Sequence, residues 1–153
     1  DVMEERSDVD IQLLAVPGVR NALVTDYAME SVERRFDALY LMDIEERDAS
    51  DNVINTSAPV SVSNTVNAFI ARDLDNSFAA AYAPDVIIPD PSTGTNVKCP
   101  PSVAVLGAIG LNDRLKFPWF APAGYNRGVL NSTVEINTKL NRSNLDDLYD
   151  AAQ

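Results

Sequence analysis

The chain predicts a mixed α/β fold, a largely parallel sheet flanked by helices. Three observations carry this: apolar runs at 9–16 and 36–44, an amphipathic segment between them, and further strand and helix patterns alternating to the end. Val9 to Val16 is a short apolar-rich run stopped by Pro17-Gly18, which reads as a strand ending in a turn. Asn21 caps the helix that follows, with Val24, Tyr27, Ala28 and Val32 at helical spacing and Asp26, Glu30 and Glu33 to Arg35 on the opposite side. Phe36 to Ile44 then carries the uninterrupted run Ala38-Leu39-Tyr40-Leu41-Met42, a second buried strand. Strand, helix and strand in this order form a βαβ unit, whose strands pair in parallel through a right-handed crossover.

Glu45 to Ser63 is polar and holds Pro59, so it is a connection, with a capped turn at Ser63. Asn64 to Leu74 forms a helix with Val66, Phe69 and Ile70 as its apolar face. Phe78 to Ile88 is a third strand, broken at Pro84, where the missing N–H places it at an edge or a bulge. Pro89-Asp90-Pro91-Ser92-Thr93-Gly94 is turn chemistry, and Thr95 to Cys99 is a short returning strand. Pro100 and Pro101 suit the first turn of a helix that runs to about Arg114. A loop over 117–130 and the segment Ser132 to Leu140 lead to a last helix, capped by Ser143 with Asp146 three residues on.

At 153 residues the chain is the size of one domain and can bury a core, and it is read as a single α/β unit over 1–153. It opens on Asp1 rather than Met and stops within a polar helical pattern, so it is expected to be part of something longer. The net charge of −11 argues against nucleic acid, which needs a basic face. No apolar run approaches the roughly 20 residues of a membrane span, so no direct membrane insertion is expected. The charge is uneven. Acids gather at Asp1, Glu4, Glu5, Asp8 and Asp10, and again at Asp43, Glu45, Glu46, Asp48 and Asp51, whereas Arg114, Lys116 and Arg127 make a locally basic window. Such opposite patches allow copies of one chain to pair, although solvated faces look the same.

The chain has no histidine and one cysteine. This removes Ser-His-Asp and Cys-His catalysis, the commonest zinc ligand and any disulfide framework. Gly107-Ala108-Ile109-Gly110 falls inside a helix with the wrong spacing for a dinucleotide loop; its small residues instead let a neighbouring element come close. Asp73, Asp75, Asn76 and Asp90 lack the order of a calcium loop. Cys99 has no base to activate it and reads as a small hydrophobe. The triplets at Asn55, Asn131 and Asn141 match the glycosylation pattern by chance, without a secretory context. No catalytic residue, cofactor or metal is expected.

The segment 117–130 is the most distinctive stretch, with Phe117, Pro118, Trp119, Phe120, Pro122, Gly124, Tyr125, Arg127 and Gly128 close together. Prolines and glycines at this density exclude helix and central strand. The aromatics predict an ordered, internally packed loop, with Trp119, Phe120, Pro122, Gly124 and Tyr125 as its framework. If the Trp119 ring is buried, Trp119→Ala costs about 3–5 kcal/mol.

Several segments, in order, resemble the contractile tail sheath proteins of bacteriophages and related contractile injection systems. Asp10 to Gly18 looks like the family's apolar strand ending in Pro-Gly, and Arg34 to Leu39 is similar to its helix-to-strand passage. Leu74 to Pro84 looks like the segment leading to an aromatic-Pro-Trp motif, with Ala83 and Asp85 departing from that motif. Pro100-Pro101-Ser102, Asn112-Asp113-Arg114, Pro118 to Arg127 and Leu145 to Tyr149 complete the series. The resemblance implies a structural subunit, not an enzyme, that polymerises with copies of itself in a helical sheath around a tail tube. The sheath contracts to drive that tube through a target envelope. It places the protein in the virion tail, assembled in the bacterial host cytoplasm. Contacts to tube and baseplate belong to parts beyond this chain, the family's C-terminal domain included. In this frame Arg114, Lys116 and Arg127 meet an acidic patch of a neighbouring subunit, either Glu4-Glu5-Asp8 or Glu45-Glu46-Asp48. The alternatives are the sheath of an extracellular or secretion-type injection machine and, in another class, a flavodoxin-like or hydrolase-like α/β enzyme domain.

Overall fold

The structure, a computed structural model, describes residues 4–54, 58–117 and 119–151. Asp1, Pro118 and the triplet beginning at Asn55 therefore lie outside the described residues. The fold is mixed α/β, and the chain divides into two compact units, one built from residues 1–82 and 138–153 and the other from 83–137.

In the first unit, β1 (Leu13–Ala15), β2 (Leu39–Asp43) and β3 (Ala79–Tyr82) form a parallel sheet in the order β1-β2-β3. Leu13 pairs with Leu39 and Tyr40 with Ala79. The crossovers are α1 (Ala22–Arg35) and α2 (Val62–Ile70). Strand β1 is shorter than the apolar run predicts, because the Val9 carbonyl accepts from Arg35 Nη2 at 2.7 Å instead of joining a ladder. Gly18, at φ 79°, turns the chain after β1, and its N–H donates to Asp43 Oδ2 at 3.1 Å.

Asn21 caps α1 as expected, accepting from the Leu23 N–H at 3.0 Å. The helical period holds but its phase is one residue off. Thr25, Ala28, Met29 and Val32 are buried, while Val24 and Tyr27 are exposed. Thr25 can sit inside because its hydroxyl donates to the Ala22 carbonyl and accepts from Arg72 Nη2. Arg35, only 1% exposed and assigned by pattern to the polar side, is buried with a bond to Asp37 Oδ1 at 2.9 Å. Phe36 ends α1 in the left-handed region and packs edge-on against Phe78, with ring centroids 4.9 Å apart. The core gathers Ala28, Met29, Val32, Ala38, Tyr40 and Met42, with Leu14, Phe69 and Phe78 packed against it.

Helix α2 begins under Ser61, whose Oγ accepts from the Asn64 N–H, rather than at Ser63. Its end is closed by backbone bonds from Arg72 to Phe69 and from Asp73 to Ile70, four residues before the expected limit at Leu74. Helix α4 (Arg142–Ala151) packs on α2. Its cap is Asn141, not Ser143: the Asn144 N–H donates to Asn141 Oδ1 at 2.8 Å and the Asn141 N–H donates to Asn144 Oδ1 at 3.1 Å. Asparagine caps as well as serine, and this pair closes the same reciprocal box two residues earlier.

The second unit holds an antiparallel sheet in the order β5-β4-β6, from β4 (Val86–Pro89), β5 (Asn96–Cys99) and β6 (Glu135–Ile136). The run 78–88 thus supplies two strands that part at Pro84, and the Ala83–Pro84 peptide is cis. The β4–β5 turn forms as predicted. Asp90 Oδ1 accepts from the Ser92 N–H at 2.9 Å, Thr93 Oγ1 donates to Asp90 Oδ2 at 2.7 Å, and Gly94 lies at φ 70°. Helix α3 (Pro101–Leu115) starts on its proline and buries Ser102, Ala104 and Asn112.

Candidate functional site

The second unit is where the distinctive sequence features gather. Helix α3 ends at Leu115, with Lys116 extended beyond it, and the loop that follows is tied back by Asn112 Nδ2, which donates to the Phe120 carbonyl at 2.7 Å. Within the loop Gly124 takes φ 78°, and the Gly128 N–H donates to the Gly124 carbonyl at 2.9 Å. A Cβ at Gly128 would lie 2.9 Å from Ala123 Cα, so the loop closes only around a residue without a side chain. These contacts explain the Ala-Pro-Ala-Gly…Gly pattern in local backbone terms.

The aromatics of this loop do not form a buried cluster. Trp119 is 76% exposed and Tyr125 97% exposed, while Phe117 and Phe120 are also open to solvent. Phe117 and Trp119 stack on each other, with centroids 4.7 Å apart and planes 4° from parallel. The Arg127 guanidinium sits 5.1 Å from the Phe120 centroid. The expectation of an inward-packed Trp119 is therefore corrected: the indole lies at the surface, where its face is covered by the stacked Phe117 ring. The result is an exposed apolar patch flanked by Arg114 and Lys116, which are exposed and make no ion pair among the described residues.

Beside it lies a groove of about 380 Å³, lined by Ala104, Gly107, Ala108 and Leu111 of α3, by Arg114 at one end and by 129–132 opposite. Among the described residues, no element packs closely on the α3 glycines, contrary to expectation. A Cβ at Gly107 or Gly110 would meet no atom within 4 Å.

The acidic candidates of the first unit fare differently. Glu46 is 2% exposed and faces Arg20 at 3.8 Å, so it cannot present charge to a partner. Glu45 lies 3.7 Å from Arg47. Asp48 accepts from the Ser50 and Asn52 N–H groups at 2.8 and 2.9 Å, organising the turn that the Arg47–Val53 bridge closes. The Asn52 and Ser50 bonds hold its carboxyl below the usual range. Glu4 is taken up by Arg34 at 3.0 Å and by the Ser31 hydroxyl. The patch 45–48 is thus structural, and of the six candidates Glu5 and Asp8 remain exposed without an ion pair among the described residues.

Sequence reading missed the exposed face of α4. Asn144, Asp147 and Leu148 are partly covered on the side toward α2, where the Ser63 hydroxyl reaches Asp147. Leu145 (52% exposed) and Tyr149 (68%) point away, with Asp146 and Asp150 exposed beside them. The signal was present as apolar residues four apart, but such a stripe is ordinarily read as the buried side.

A second cavity, of about 130 Å³, is lined by Ala22, Ile44, Glu45, Arg47, Phe69 and Arg72, just past the carboxyl end of β2. This is where an α/β enzyme would hold a ligand. The terminal nitrogens of both guanidinium heads are engaged within the fold, Arg72 with Thr25 and Asp26 and Arg47 with Asp51 and Glu45, while the Nε of each is buried without a hydrogen-bond partner among the described residues. Among the described residues no group of three or more acids and cysteines is arranged to hold a metal, and no helix is long and apolar enough to cross a membrane. Compared with protein-family models and with curated proteins, the chain finds no match.

Proposed function

We propose that this chain is a structural subunit of a contractile tail sheath, working in the virion tail and polymerising helically with copies of itself around a tail tube. The observation that carries the reading is the exposed surface of the second unit, with Phe117, Trp119 and Tyr125 open to solvent and Arg114 and Lys116 exposed and in no ion pair among the described residues. Exposed aromatics rimmed by charge mark a surface built to be covered. The ordered series of sheath-like segments supplies the kind of assembly. Contraction then exchanges one lattice of subunit contacts for another of lower energy, and packed interfaces suit this because they are bistable rather than continuously deformable.

The charge distribution supports pairing between copies. In the second unit four acids (Asp85, Asp90, Asp113, Glu135) balance four bases (Lys98, Arg114, Lys116, Arg127), so the net charge of −11 resides entirely in the first unit. Cations at such a rim set register and encounter more than affinity. Electron microscopy of the full-length protein tests the reading: tubes of helically stacked subunits are expected, and discrete particles would favour an α/β enzyme domain. Reversal of Lys116 and Arg127 to Glu is expected to impair tube assembly or contraction, and unchanged sheaths would remove these residues from the interface.

A further inference from the structure

Resting on the assembly reading, we infer that the α3 groove and its cationic rim receive the outward face of helix α4 from a second copy of this chain. Three features fit together. The groove is lined by Ala104, Gly107 and Ala108, and the open space at both α3 glycines leaves room for a helix to approach closely. The outward face of α4 carries Leu145 and Tyr149 one helical turn apart, a stripe of the spacing a groove-bound helix uses for its anchors. Asp146 and Asp150 follow that stripe at the same spacing, and Arg114, in no ion pair among the described residues, lines the groove with Lys116 two residues on.

Charge complementarity selects this occupant over the acidic patches read from sequence. Glu46 is buried, and Glu4, Glu45 and Asp48 are engaged within their own unit. Glu5 and Asp8 are exposed, but the apolar residues next to them in sequence, Val9 and Ile11, are half-buried and form no exposed helical stripe. The α4 face offers both chemistries, apolar anchors for the groove and carboxylates for Arg114 and Lys116. Because the groove lies in one unit and α4 in the other, each copy carries both halves of the contact. Pairing of this kind is heterologous and propagates from copy to copy rather than closing on a dimer.

The test uses the full-length protein, with assembly followed by electron microscopy and by sedimentation over a range of concentrations. Gly107→Leu projects into the groove, where an added Cβ meets no atom of another described element within 4 Å, so it is expected to leave the melting temperature unchanged or raised while assembly is lost. Arg114→Asp and Asp146→Arg are each expected to raise the concentration needed for assembly about tenfold, and the double variant to return it close to that of the wild type. Normal assembly by Gly107→Leu would overturn the inference, as would a loss in Arg114→Asp that Asp146→Arg does not repair. A repair seen equally at all dilutions would also overturn it, because α4 of the same chain would then be the occupant. Wild-type tubes with unaffected variants would remove this contact alone, whereas wild-type protein that forms no tubes would remove the assembly reading with it.

Discussion

Trp119 shows how a residue's role turns on where its side chain can go. Its indole lies flat against Phe117 at the surface, so truncation removes a stacking partner and little buried area. Trp119→Ala is expected to change stability by no more than about 0.5 kcal/mol, far from the cost of emptying a core site. Thermal unfolding checks this, and a large drop in melting temperature would mean that the ring is covered. Asp90 is the opposite case, a half-buried side chain that is structurally engaged. Bonds from the Ser92 N–H, then from the Thr93 and Ser92 hydroxyls, hold its carboxyl below the ordinary aspartate value. A lowered folded-state pKa contributes stability that is present above the unfolded value and lost as pH falls through the folded one. Asp90→Ala is therefore expected to lower the melting temperature at neutral pH. The gap to wild type should close as the pH drops below the usual aspartate range, which a pH series of melting curves would reveal.

At the scale of elements, the parallel sheet owes its place to β2, which pairs on both sides and is buried nearly throughout. Leu41 is fully enclosed there, between Ala15 of β1 and Ala80 of β3 in the ladder. Leu41→Ala is expected to destabilise the fold by about 2–5 kcal/mol, read as a lower denaturant midpoint at unchanged slope. The helices show how much of an element is legible beforehand. The position and cap of α1 were readable, since Asn21 before an amphipathic run is a local signal. Its buried face was not, because Thr25 and Arg35 become interior residues only through partners distant in sequence, Arg72 for one and Val9 for the other. Strand β4 follows the same rule. The break at Pro84 was visible, but its pairing with residues 135–136 depends on a return of the chain that no local pattern announces.

For the whole molecule, the separation of charge between the two units is the property with the widest consequence. A neutral unit with exposed aromatics, and with Arg114 and Lys116 exposed and in no ion pair among the described residues, belongs to the same chain as a unit carrying the full −11. Copies attract through such a distribution only while the charges are not screened. Assembly of the full-length protein is expected to weaken when added salt shortens the Debye length from about 10 Å to about 3 Å. Light scattering across a salt series would show this, and assembly that strengthens with salt would assign the contact to apolar burial alone.

By itself the sequence determined the α/β class, the order and approximate limits of most elements, the β4–β5 turn and the absence of histidine chemistry. These follow from local periodicity, capping and composition, which need no knowledge of what lies across the fold. Tertiary structure alone decided that Glu46 is buried against Arg20, that Trp119 is open, and that the α3 glycines line a groove. It also decided that residues 138–153 rejoin the first unit, leaving 83–137 as a neutral unit of its own. Each of these depends on contacts between distant segments. A charged or aromatic side chain is inside or outside according to the partners and space it meets, and identity along the chain does not specify them.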